Sequence, residues 1–173
     1  MFRLKNAFIN LSVVSLRNGA TIGTTTGFVI NPNNLKVEGL FCTPSDSKKG
    51  SEAILLVQDI RDFVPQGIAV NDYDALTAAE DLVRLKKYID LRYDPHGKKV
   101  VTISKESVGK VTDYAIDEQS FYIQKLYASQ SILTSISGGS LSIDRSQINE
   151  ITDKRIIIKD LHSTIPAGAP AAA

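Results

Sequence analysis

The chain has one cysteine in its 173 residues, no long apolar run and no excess of either charge, and each shortage excludes a class of protein. Cys42 alone cannot form an internal disulfide, which fits a reducing compartment. No stretch approaches the roughly 20 apolar residues that a membrane span needs. Met1-Phe2-Arg3-Leu4-Lys5 is followed by Asn6 and Asn10, so the apolar core of a secretion signal is missing as well. A cytoplasmic location without membrane insertion is the expectation. Residues 1–90 carry 10 Lys/Arg against 10 Asp/Glu, and residues 91–173 carry 10 against 9. Neither half has the basic footprint of a DNA-binding domain. The pairs Lys48-Lys49, Lys86-Lys87 and Lys98-Lys99 read as solvated surface.

Catalytic signatures are missing too. There is no G-x-S-x-G elbow, phosphate-cradling loop or dinucleotide glycine motif. His96 and His162 have no Cys or acidic residue around them at zinc-ligand spacing and read as surface histidines. Cys42 follows Leu40-Phe41, as a buried thiol would. The acidic pairs Asp59 with Asp62 and Asp72 with Asp74 read as loop carboxylates in turns and caps. No catalytic, metal or cofactor-binding residue is assigned, no cofactor is expected, and the chain reads as a non-enzyme.

What the sequence does have is an internal repeat. VVSLRNGATIGTTTGFVINPNNLKVEGL at 13–40 is answered by VVTISKESVGKVTDYAIDEQSFYIQKL at 100–126. With one residue dropped at the Asn18-Gly19 turn, Ile22-Gly23 falls on Val108-Gly109 and Ile30 on Ile116. Leu35, Val37 and Leu40 fall on Phe121, Ile123 and Leu126. A period near 87 residues is too long for a solenoid unit of roughly 20–50 and means two similar domains in tandem.

Each unit reads as mostly β. Alternation puts Leu35, Val37, Gly39 and Phe41 on one strand face, with Phe121, Ile123, Lys125 and Tyr127 as their counterparts. Asn31-Pro32-Asn33-Asn34 and Asp117-Glu118-Gln119-Ser120 are hairpin turns, and Asn18-Gly19 suits a type I′ turn. Residues 59–63 and 147–151, with apolar side chains three apart, suggest helical or 3₁₀ turns plugging a barrel end. Short apolar runs follow at 66–70 and 153–158. Antiparallel strands in so small a unit avoid bare edges by curling into a barrel.

Between the units, Thr77-Ala78-Ala79-Glu80 has the form of a capping box, and Leu82, Leu85 and Ile89 recur at helical spacing. One linker helix is expected at 76–92, between domains at 1–75 and 93–162. Asp94-Pro95 and Gly97 end it. Residues 44–51, 129–140 and the Ala/Pro-rich 163–173 look loose, the last as a disordered tail.

The opening of each repeat resembles a PRC-barrel domain: an apolar pair, a turn, a Gly-bearing hairpin, an Asp/Asn-containing turn and a third strand. Gly109-Lys110-Val111 and Asp113 carry the resemblance in the second copy, and together the copies cover about 8–72 and 95–161. The resemblance implies two tandem antiparallel barrels and a module that binds other molecules. Three expectations follow for partners. The first is an adaptor or scaffold for partner proteins, through an open barrel edge or as a homodimer. The second is an RNA- or ribosome-associated assembly factor, for which Lys125 between Tyr122 and Tyr127 is the one aromatic-basic cluster. The third concerns anchors: Tyr88, Tyr93, Tyr114, Tyr122, Tyr127 and Phe63 either fill a small core or offer interface side chains.

Overall fold

The computed structural model describes residues 1–46, 51–130 and 140–160. After β1 (Phe2–Leu4), the first repeat supplies β2 (Ser12–Ser15), β3 (Thr21–Asn31), β4 (Lys36–Pro44), β5 (Ala53–Leu56), β6 (Ile60–Val64), β7 (Gly67–Val70) and β8 (Leu76–Ala78). A helix, α1 (Lys86–Leu91), leads into the second. That repeat supplies β9 (Lys99–Thr102), β10 (Ser107–Asp117), β11 (Ile123–Gln130), β12 (Ser140–Asp144), β13 (Ile148–Ile151) and β14 (Arg155–Ile158). Strands dominate, as the sequence implied.

The repeat is visible in the strand order. One sheet runs β6-β7-β2-β3-β4-β5-β8 and the other β13-β14-β9-β10-β11-β12, with β1 added beside β10. Removing β8 and β1 leaves the same six-strand order twice. Each six has one parallel pair, β2 with β7 and β9 with β14, so the all-antiparallel expectation is corrected. The first and last strands of each six are joined by a single 3₁₀ turn, Val57–Asp59 or Arg145–Gln147. Four residue steps of about 3.8 Å cannot cross a flat six-stranded sheet with strands about 4.8 Å apart. Both sheets therefore curl. Among the described residues no pairing closes β5 on β6 or β12 on β13, so the sheets curl without a closed barrel being found there.

Several local expectations shift by a residue or two. The 3₁₀ turns fall just before Ile60 and Ile148, while residues 60–64 and 148–151 are edge strands. At the first hairpin only Gly19 has positive φ, +71°, so the turn is not type I′. The Gly19 amide instead donates to the Ser15 carbonyl at 2.8 Å. At the Asn31 and Asp117 turns, the left-handed residues are not Asn or Asp but the buried Leu35 and Phe121, at φ +55° and +56°.

Strand faces also depart from simple alternation. On β4 the pairing steps from Val37 to Gly39 against consecutive β3 residues, and on β11 from Ile123 to Lys125. Glu38 and Gln124 are the extra residues of β-bulges, and one extra residue flips the parity of everything after it. The main core consequently takes Val37, Leu40 and Cys42 from β4, and Ile123, Leu126 and Ala128 from β11. Phe41 faces the other way.

The linker is only partly helical. Thr77 is not a cap: Leu76–Ala78 pairs with the outer edge of β5, and satisfying that edge wins over a capping box in an exposed segment. A 3₁₀ turn covers Ala79–Asp81, and the α-helix begins at Lys86 without a side-chain cap. The apolar stripe was nonetheless real. Leu82, Leu85 and Ile89 pack with Val29, Phe41 and Ile54 on the outer face of the first sheet.

Candidate functional site

The two repeats meet through their long hairpins. The Val37 amide donates to the Phe121 carbonyl at 2.8 Å, and the Ile123 amide to the Leu35 carbonyl at 2.9 Å. These bonds are the same bond read from either repeat, since Leu35 and Val37 are the counterparts of Phe121 and Ile123. Lys36 and Tyr122 form the bridge between them. The counterpart rings Phe28 and Tyr114 also meet, edge to face, with centroids 6.1 Å apart. One core spans both halves.

Each half is entered by a segment that lies on the other. β1 pairs with Ala115–Asp117 of β10, whereas α1 packs on the sheet of the first half. Arg92, next after α1, sits 4.4 Å over the Phe41 ring and pairs with Glu52. Lys5 answers it from the first half, 5.7 Å over Tyr114.

Beside this junction is a groove of about 1090 Å³. Its walls come from Arg3 on β1, Lys36 and Glu38 on β4, the Val57–Asp59 turn with β6, the linker at 81–85, and the turn at 118–121. Leu56, Ile60, Phe63, Leu82 and Phe121 supply apolar surface, and Val83 in its wall is 78% exposed. Arg3 lies 5.0 Å over the Phe63 ring and forms an ion pair with Glu118. Lys36 pairs with Glu38 at 3.4 Å. The lining holds four cations (Arg3, Lys36, Arg61, Arg84) and four anions (Glu38, Asp62, Asp81, Glu118). Sequence reasoning missed this groove because its walls come from both repeats and the linker.

A smaller cleft of about 300 Å³ lies between the entry segments, lined by Lys5, Asn6, Arg92, Tyr93, Asp94 and Tyr114 among others. Among the described residues the buried Tyr93 hydroxyl has no hydrogen-bond partner, and the buried Tyr114 hydroxyl lies beside the Asp94 carboxylate. Burial first, and then the nearby Asp94 carboxylate, push both phenols above their ordinary value.

The other singled-out residues fall into place separately. His96 is exposed, while His162 lies outside the described residues. Burial pushes the Cys42 thiol up to about 12, so it stays protonated and inert at neutral pH. Asp59, Asp72 and Asp74 line one shallow depression together with Arg61. Asp72 is paired with Arg17 at 2.6 Å, and that bond holds its carboxyl below the usual value. Asp62 bonds the Phe63 amide. Among the described residues no cluster of three His, Cys, Asp or Glu could hold a metal, and no helix is long and apolar enough to cross a membrane.

The tyrosines divide. Tyr93 and Tyr114 are core, Tyr88 covers the outer face with α1, and Tyr122 carries Arg145 at 4.3 Å over its ring. Lys125 pairs with Asp144 at 3.3 Å, so the aromatic-basic cluster has its cations engaged within the chain. No protein-family model matches the chain, and neither does any curated protein.

Proposed function

We propose that the chain is a non-catalytic cytoplasmic adaptor, built as a tandem PRC-barrel pair, that holds a partner protein in the groove between its halves. The observation that carries this reading is the groove's lining: apolar side chains, the exposed Val83 among them, together with charges of both signs in equal number. Apolar surface combined with charges of both signs suits a protein interface. A phosphate backbone would call for a surplus of Lys and Arg, and the groove has none. The matching strand order of the two sheets, each entered by an apolar pair and a Gly-bearing hairpin, supports the PRC-barrel comparison.

The test is capture from lysate of the source organism with tagged chain, with and without nuclease, beside the exposed variants Val83→Asp and Arg84→Glu. The adaptor reading expects proteins that survive nuclease and are lost with either variant. Ribosomal proteins that vanish with nuclease would replace it by the RNA-assembly reading, and a self-associated chain by a homodimer.

A further inference from the structure

The sheet register of the second half lines up three cations on neighbouring strands. Lys99 on β9 stands opposite Arg155 on β14 on one side and opposite Lys110 on β10 on the other. All three side chains are exposed, and strands about 4.8 Å apart set them in one row. The repeat supplies the comparison. Val13 of the first half is Val100 of the second, so the same row there is Gly67, Ser12 and Thr24. It carries no charge.

Like charges directly opposite each other on a sheet are destabilising, so the row costs the free chain something that its counterpart avoids. Among the described residues none of the three is in an ion pair. Residues 47–50, 131–139 and 161–173 contain no Asp or Glu that could supply one. Lys98, next in sequence, is engaged elsewhere: its ammonium lies 4.7 Å over the Tyr93 ring and bonds the Asp153 carbonyl. The adjacent row on the same strands is Ile157, Val101 and Ser107, also uncharged.

We propose that the row of Arg155, Lys99 and Lys110 is a docking site for an acidic run, Asp or Glu, of a partner protein. Charge complementarity sets the sign of the occupant, and the surroundings set its class. The half-buried Val101 and Ile157 beside the cations offer apolar surface that a polypeptide can cover and a phosphate backbone has no use for. Single-stranded nucleic acid would call for aromatic side chains among the cations, and neither row has one. The inference rests on the partner-protein reading and adds a second contact to it, through residues that do not line the groove.

The probe is fluorescein-labelled hexaglutamate, titrated into the full chain at low ionic strength, where screening is weakest, and followed by anisotropy. Hexaglutamine and a short oligouridine are titrated beside it. Saturable binding of hexaglutamate alone is expected. Lys99→Ser with Lys110→Thr, the residues that the first half already carries in this row, should weaken it at least about tenfold (1.4 kcal/mol). Lys105→Gly with Lys159→Ser removes the same charge from exposed positions outside the row and should leave it unchanged. Hexaglutamine tests the charge dependence without altering the chain, so the folding of a variant does not decide the outcome. Equal weakening by the two variant pairs overturns the proposal, since net charge alone would then be read. So does the absence of saturable binding, or binding shared by hexaglutamine. Tighter binding of oligouridine, lost with the row, overturns it in favour of RNA. Val83→Asp should bind hexaglutamate normally. Hexaglutamate binding without nuclease-resistant capture from lysate therefore sinks the groove reading alone, and the reverse sinks this one alone.

Discussion

At the scale of residues, the repeat acts as a substitution experiment already performed on one backbone. Gly19 and Lys105 both occupy the left-handed position of the first hairpin, at φ +71° and +67°. Glycine adopts it freely, whereas a side chain there costs roughly 1–2 kcal/mol. Lys105 is exposed and its counterpart is already glycine. Lys105→Gly should therefore stabilise the chain by about 0.5–1 kcal/mol after glycine's entropy cost. Gly67 shows the opposite constraint. A Cβ there would sit 2.0 Å from the Ser12 carbonyl oxygen, at φ +143°. Gly67→Ala should cost at least about 3 kcal/mol. Denaturant melts of both variants check the pair; an unchanged midpoint for Gly67→Ala would contradict the close approach of β7 to β2.

At the scale of elements, the sequence was legible where local chemistry decides and illegible where a neighbour does. The repeat, the strands and the turn positions could be read from apolar spacing and from Asn, Asp, Pro and Gly. The bulges at Glu38 and Gln124 could not, because an extra residue leaves no local signal and still reverses the face of all that follows. Thr77 shows the same limit. Its capping-box pattern is sound in isolation, but the open edge of β5 claims the segment. The crossing of the two long hairpins was likewise invisible, since its bonds join main-chain atoms of Leu35, Val37, Phe121 and Ile123. That crossing makes a testable statement: the amides of Val37 and Ile123, which donate across the halves, should exchange with solvent only through global unfolding. Native-state hydrogen exchange should give them the same opening free energy as the buried amides of Leu40 and Leu126. Fast, local exchange at 37 and 123 would mean that the hairpins part while each half stays folded.

At the scale of the whole molecule, the two repeats meet in reciprocal contacts. Each entry segment rests on the opposite half, the Phe28 and Tyr114 rings meet at the junction, and one core takes side chains from both repeats. The groove was illegible for this reason: it exists only where the halves, the linker and β1 come together. The two halves are alike in strand order, and the partner-binding account rests on the groove between them. Its foundation is the fusion of the halves. Differential scanning calorimetry of the full chain tests this most directly. The account predicts one transition whose calorimetric and van't Hoff enthalpies agree. Two separable transitions, or a van't Hoff enthalpy near half the calorimetric value, would contradict it and leave two independent domains without a shared groove.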